Sequence, residues 1–334
     1  MSDKNTALQI NFLNRIKDII PDSVSFTDEL AEVLQLSTDS VYRRLRGETL
    51  LNVNEIYQLC THYRISFDLF THQAKNIAFH YDDLKTPAGF HTYLSTIYND
   101  MKQIAGAKDK QIIYAAIDVP IFHHFKYPEL SAFKMFYWMK AVVGLPSLDG
   151  KKFSVSHVSP EFAELGKKIY EIYQNIPSAE IWTDETINSL IKQIEFYWDA
   201  GYFETQDDAL TVCLQAREEI ETLNKQAEQS NKKENLFEDG SFMLYHSHIE
   251  IGSNCIFTKK GDIESVYLSV HTFNKIVTGN PGFVEDSKAW LENLIKKSDL
   301  ISGVSQVSRY QFFKRASEKL NRLFEKISES KSDV

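Results

Sequence analysis

Residues 27–47 read TDELAEVLQLSTDSVYRRLRG, and this stretch decides how the N-terminal region is built. Leu30, Leu34, Leu36 and Val41 recur at the spacing of two short amphipathic helices that share one apolar seam. Ala31 puts a small side chain where two steeply crossed helices come closest. Ser37 stands where the second helix begins, with a hydroxyl that can accept from an orphan backbone N–H. Gly47 is a suitable stop, because glycine reaches the left-handed conformation without strain. The pattern predicts helices over 26–34 and 38–46, with Gln35 in the turn; a non-glycine residue there costs about 1 kcal/mol if it is left-handed.

The neighbouring residues extend this into an all-helical domain over 1–72. Leu8, Phe12, Leu13, Ile16 and Ile19 form one helical face, and Pro21 follows its end. Val53, Ile56, Leu59 and Cys60 line an amphipathic helix over 52–62, and Ser66 caps a further short segment at 67–71. Connections of only a few residues suit a compact helical unit.

This layout resembles the lambda repressor-like (Cro/XRE-type) helix-turn-helix family, whose sequence often reads LAxxLGVSxxTVxRWLRG, then an apolar helix, then a V-S-x-D-x-L segment. The resemblance covers residues 26–71. It implies a transcriptional regulator that binds double-stranded DNA with helix 38–46 in the major groove. Thr38, Asp39 and Ser40 would then lie at the N-terminus of the reading helix, with Tyr42 and Arg43 one turn on. Arg43 is the expected base contact, since arginine pairs bidentately with guanine, and Asp39 suits a cytosine amine. Thr27, Arg46 and Asn52 are expected at phosphates. Arg44 falls where the family is usually apolar; its stem would cover the seam while its guanidinium reaches solvent or phosphate.

Charge shapes this expectation. The chain carries a net charge of −9, and residues 1–70 hold seven Lys or Arg against ten Asp or Glu. Phosphate binding needs local positive potential, so a homodimer reading two half-sites is the expected active form.

Beyond a linker at 73–89, containing Asp82-Asp83 and Thr86-Pro87-Ala88-Gly89, the body spans 90–334. Its periodicity predicts helices at 90–105, 129–142, 160–174, 184–200 and 205–229, and one strand at 111–117. The polar stretch 224–240 marks a helix end and a loop, with a subdivision conceivable near 230–240. Strands follow at 242–251, 254–258 and 263–273, the last two joined by the turn Lys259-Lys260-Gly261-Asp262. Two helices, 284–298 and 305–328, close the chain. The expected fold is mainly α with an α+β C-terminal part: a helical head, a helical middle, and a small antiparallel sheet near 241–273.

Other side-chain groupings carry weaker expectations. His246 and His248 share a strand face, and His271 on a neighbouring strand could complete a metal trio. Gly240 and the residues up to His246 are similar to a cupin motif, but Gly252 and Ser253 fill the place of its acidic residue, so no metal or cofactor is expected. The aromatic run from Ile121 through Trp138 suits a core, or an effector pocket lined by the same residue types. Phe313, Ala316, Leu320, Leu323, Phe324 and Ile327 form a stripe that either dimerises or caps the C-terminal sheet.

Phosphate-loop, GxSxG, HExxH and dinucleotide fingerprints are absent from the sequence, as is any run of eighteen apolar residues. Cys60, Cys213 and Cys255 are unspaced, with no CxxC, and the first residues lack a secretory pattern. The expectation is a cytoplasmic non-enzyme with no membrane contact, whose body senses a small-molecule or protein effector or oligomerises. The alternatives are an interaction adaptor or antitoxin-like protein with a DNA-binding head, and an enzyme on the C-terminal body.

Overall fold

The computed structural model of the chain describes residues 2–17, 20, 25–63, 65, 67, 77, 79–81, 87–233, 240–270 and 274–330. Contacts divide it into two units, residues 1–80 with 278–280, and residues 81–277 with 281–334.

Among the described residues, the first unit contains four α-helices: α1 (Ser2–Lys17), α2 (Phe26–Leu34), α3 (Thr38–Leu45) and α4 (Val53–Tyr63). Phe12, Leu13 and Ile16 of α1 meet Leu30 and Leu34 of α2, Val41 of α3 and Leu59 of α4 in one apolar core. Gln35 ends α2 in the left-handed conformation at φ 54°, and its N–H bonds back into the helix. Gly47 closes the segment after α3 at φ +72°. A Cβ there would stand 2.2 Å from Thr6 Cγ2, so both the backbone and the approach of α1 require glycine. Gln9 of α1 ties down the same segment, donating to the Arg44 and Thr49 carbonyls and accepting from the Leu51 N–H at 2.6 Å. Ile19, Pro21 and most of 67–71 lie outside the described residues; Phe67 is described, its ring edge-on to Phe12 at 5.2 Å.

The chain forms an eight-stranded sheet of order β1-β7-β6-β5-β2-β3-β4-β8, nearly all of it in the second unit. The strands are β1 (His80–Tyr81), β2 (Lys110–Ala116), β3 (Ser178–Trp182), β4 (Phe242–His246), β5 (Cys255–Lys260), β6 (Ile263–Val270), β7 (Asn274–Thr278) and β8 (Asp299–Leu300). β2, β3 and β4 run parallel to one another, whereas β5 pairs antiparallel with β2 and with β6, and β8 pairs antiparallel with β4. The helices are α5 (Pro87–Gly106), α6 (Ile121–His124), α7 (Pro128–Tyr137), α8 (Pro160–Tyr173), α9 (Asp184–Asp199), α10 (Gln206–Gln229), α11 (Pro281–Lys296) and α12 (Gln306–Glu329).

Period-two alternation sorts the sheet's two faces. Ile112, Tyr114, Ala116, Trp182, Phe242 and Leu244 face a large core shared with α5, α7–α10 and α12. Ile113, Ala115, Ala179, Ile181 and Phe257 face the other way, onto Val284, Leu291 and Leu294 of α11.

The protein is thus mainly α with an α+β body, as its periodicity predicts, but the small antiparallel sheet is corrected to a large mixed one. The strand at 242–246 is not a neighbour of the β5–β6 hairpin; it lies on the far side of β2 and β3. β3 went unread because all five of its residues are buried, so Ser-Ala-Glu-Ile-Trp shows no solvent-facing alternation. No boundary falls at 230–240 among the described residues: the Phe242 N–H donates to the Ser230 carbonyl across it. The α12 stripe is spent internally, with Phe313, Ala316, Leu320, Leu323 and Ile327 buried in the large core.

Candidate nucleic-acid interface

α3 starts at an N-cap, Ser37, whose Oγ accepts from the Ser40 N–H and lies 3.0 Å from the Ser40 hydroxyl. The cap satisfies one of the first-turn donors and fixes the direction in which the helix leaves the turn. Val41 then points into the core at 1% exposure. Helical spacing places Asp39, Tyr42, Arg43 and Arg46 on the opposite face, and all four are exposed, as is Thr38. Tyr42 is an aromatic side chain held out in solvent.

The expected contacts separate into two groups. Thr38, Asp39, Tyr42 and Arg43 stand together on the exposed face of α3, with Ser40 half-buried and engaged with its cap. Arg43 has no carboxylate within ion-pair distance among the described residues, so its guanidinium fork is available.

The other expected contacts are engaged or flanked by acid. Arg44 departs from expectation: its guanidinium does not reach outward but donates to both Glu55 oxygens, at 3.0 and 2.6 Å, and to the Ser40 carbonyl at 3.1 Å. Burial works against ionisation of Glu55, but Arg44 and the Asn52 N–H outweigh it and hold the carboxyl below its ordinary range. Asn52 caps α4, its Oδ1 accepting from the Glu55 N–H while Glu55 accepts from the Asn52 N–H. Arg46 pairs with Glu48 at 2.6 Å, a contact that lowers the Glu48 carboxyl. Thr27 is half-buried in the first turn of α2, where Asp28 and Glu29 add negative charge. Sequence reading missed the clamp, although Asn52-x-x-Glu55 is a capping-box spacing and so was visible.

In the body, Phe122, Phe125, Tyr127 and Phe133 of the aromatic run are core residues. Phe136 instead lines an open cavity of about 750 Å³ with Met135, Met139, Phe153 and Phe162, with Lys151 and Lys152 also on its wall. A π-helical turn, Trp138–Val142, follows α7 here and carries Met139. Such turns recur at functional sites.

No family model, curated protein or solved structure matches this chain. Among the described residues, no helix is long and apolar enough to cross a membrane.

Proposed function

We propose that the chain is a sequence-reading DNA-binding regulator whose N-terminal unit lays α3 in the major groove. The observation that carries this reading is the division of α3 into a buried side, Val41, and an exposed side bearing Thr38, Asp39, Tyr42 and Arg43. Arg43 reads a guanine, and the neighbouring side chains read or buttress adjacent positions. With Arg44 and Arg46 committed to carboxylates, each head contributes little phosphate attraction. The active form is therefore a homodimer on two half-sites, and Leu50, Val53 and Tyr57, apolar and exposed, are available for the contact. The body supplies the effector site, the cavity beside Phe136 being the candidate.

Selection from random duplexes at low salt tests the reading, and enrichment of a paired half-site is the expected outcome. Arg43→Ala is expected to weaken the selected duplex by about 1–3 kcal/mol and to relax one position, with folding intact. If no sequence is enriched, the reading fails. Equal loss on random DNA reduces Arg43 to a phosphate contact.

A second reading is an interaction adaptor. It is favoured by the same exposed apolar trio, Leu50, Val53 and Tyr57, in a unit whose Arg44 and Arg46 are paired with carboxylates. A stoichiometric protein partner lost on Val53→Glu, together with failed duplex selection, would select it.

A further inference from the structure

We infer that the body carries a binding site for one divalent transition-metal ion, built from His246, His248 and Asp299. Each of these residues offers a ligand atom, and the three atoms lie within 4.8 Å of one another. A tetrahedral ion with bonds of about 2.0–2.2 Å needs its ligand atoms about 3.3 Å apart. His248 Nε2 already stands 3.5 Å from Asp299 Oδ2. Both side chains are mostly exposed, so small χ rotations close the remaining distances.

The backbone beneath the cluster is fixed. His246 ends β4 and lies directly across from Asp299 of β8 in the antiparallel register. The Ser247 N–H donates to the Trp182 carbonyl at 2.7 Å, and the Ser247 hydroxyl accepts from the Ile249 N–H. This turn sets His248 beside His246, with ring centroids 4.7 Å apart. On the β8 side, the Ile301 N–H donates to the Leu244 carbonyl and the Ser302 hydroxyl takes the Leu244 N–H. His246 itself is 7% exposed and packs on Phe312, which limits its rotamers. The site therefore has one anchored ligand and two that close from solvent.

The cluster lies at the carboxyl ends of the parallel strands β3 and β4, where ligands bind in open sheets with parallel strands. Asp184, just past β3, places Oδ1 3.3 Å from His246 Nε2 and is itself held by Arg315 at 2.9 Å. A carboxylate beside a ligating imidazole orients it. Two imidazoles and one carboxylate suit zinc, cobalt or nickel better than magnesium or calcium, which prefer all-oxygen sets. Three protein ligands leave a coordination position open to water or to an anionic small molecule.

His271 was the third ligand the sequence suggested, and it lies outside the described residues. Asp299 comes from a two-residue strand with no alternation to expose it, so only the sheet register brings it forward.

Chelator-treated full-length protein titrated with Co²⁺ tests the inference independently of DNA binding. The expected result is one saturable Co²⁺ per chain, with visible d–d absorption, displaced by Zn²⁺ and not by Mg²⁺. His248→Ala and Asp299→Ala each are expected to weaken binding more than about tenfold, at least the loss typical of an outer-shell partner. Because both side chains are exposed, the metal-free melting temperature should not move, which separates ligand loss from misfolding. Undiminished binding in both variants, equal competition by Mg²⁺, or no saturable site in the wild type would each overturn the inference.

Discussion

Arg44 and Glu55 meet at the edge of a small helical core, whereas Glu180, Glu219, His123, His124, Lys134 and Lys232 lie wholly inside the core of the body. In the head the ion pair joins two helices, and one flank still faces water. In the body, Glu180 accepts from His123 Nε2 at 2.9 Å, from the Tyr173 hydroxyl at 2.5 Å and from Trp182 Nε1 at 2.9 Å. Lys232 Nζ lies 3.7 Å from the Tyr173 ring centroid and donates to Ser178 Oγ. Burial disfavours a charged Glu180, but His123 and Tyr173 outweigh it and hold the carboxyl low. The head can lose its pair and re-solvate. The body cannot, and that difference orders the expected effects.

The largest effect is expected at Glu180. Removing the carboxylate in Glu180→Ala leaves three buried donors without their acceptor and should cost about 3–5 kcal/mol. All four tryptophans lie in the body, so urea unfolding followed by tryptophan fluorescence reads this unit alone. A loss below about 1 kcal/mol would mean that water enters the network, and the contrast with the head would disappear. Arg44→Ala comes next, at about 1.5–3 kcal/mol, because Glu55 keeps its Asn52 N–H and a margin of solvent. Amide exchange along α4 should rise while the tryptophan-detected transition stays in place.

A third difference shows as a slope in pH. His124 Nδ1 and both Glu219 oxygens approach at 2.8 and 3.0 Å, fully buried, and His124 Nε2 has no hydrogen-bond partner among the described residues. Burial pushes the Glu219 carboxyl up to about 8, against the lowering charges of His123 and Lys134. Burial likewise keeps His124 well below its ordinary range. The folded carboxyl therefore binds its proton more tightly than the unfolded one, whose pKa is about 4.3. Its stabilising contribution is full below that value and is lost as pH rises through about 8. Glu219→Gln removes this limb, so relative to wild type the variant should gain stability between pH 5 and pH 8. The opposite sign would mean that the folded pair binds fewer protons than the unfolded one across this window. The head carries no fully buried carboxyl–imidazole pair among its described residues, so α4 amide exchange should show no such divergence.

The same contrast explains how much could be read before the fold was known. The head's charges and caps lie at element ends, where Ser37, Gly47 and the Asn52–Glu55 spacing have local meaning, and α2, α3 and α4 matched to within a residue. The exposed face of α3 was legible for that reason. The inward turn of Arg44 was not, because it depends on a partner eleven residues away. In the body, amphipathic helices such as α8, α9 and α10 were legible, since each has one wet face. β3 was not, and Glu180 within it looks like a solvent residue until Trp182, Tyr173 and His123 surround it. The cluster of His246, His248 and Asp299 was not legible as the strand face expected over 242–251: β4 ends at His246, a turn at Ser247 brings His248 beside it, and the aspartate arrives through strand pairing.

The smallest effect tests whether Gln35, a left-handed turn residue of the head, is scaffold or function. Gln35 is exposed and left-handed at φ 54°, a conformation costing a non-glycine residue about 1 kcal/mol or more. Glycine relieves that strain but adds freedom to the unfolded chain, so Gln35→Gly should stabilise the head by only about 0.5 kcal/mol. Gly47 has the opposite logic, since an added Cβ meets Thr6 of α1 as well as an unfavourable φ, and alanine there should destabilise. If Gln35→Gly slows α4 amide exchange and leaves duplex selection unchanged, the turn is scaffold and the reading face is α3 alone. If it stabilises the head but weakens the selected duplex, the Gln35 side chain belongs to the interface, and the contact set must extend from α3 back across the turn.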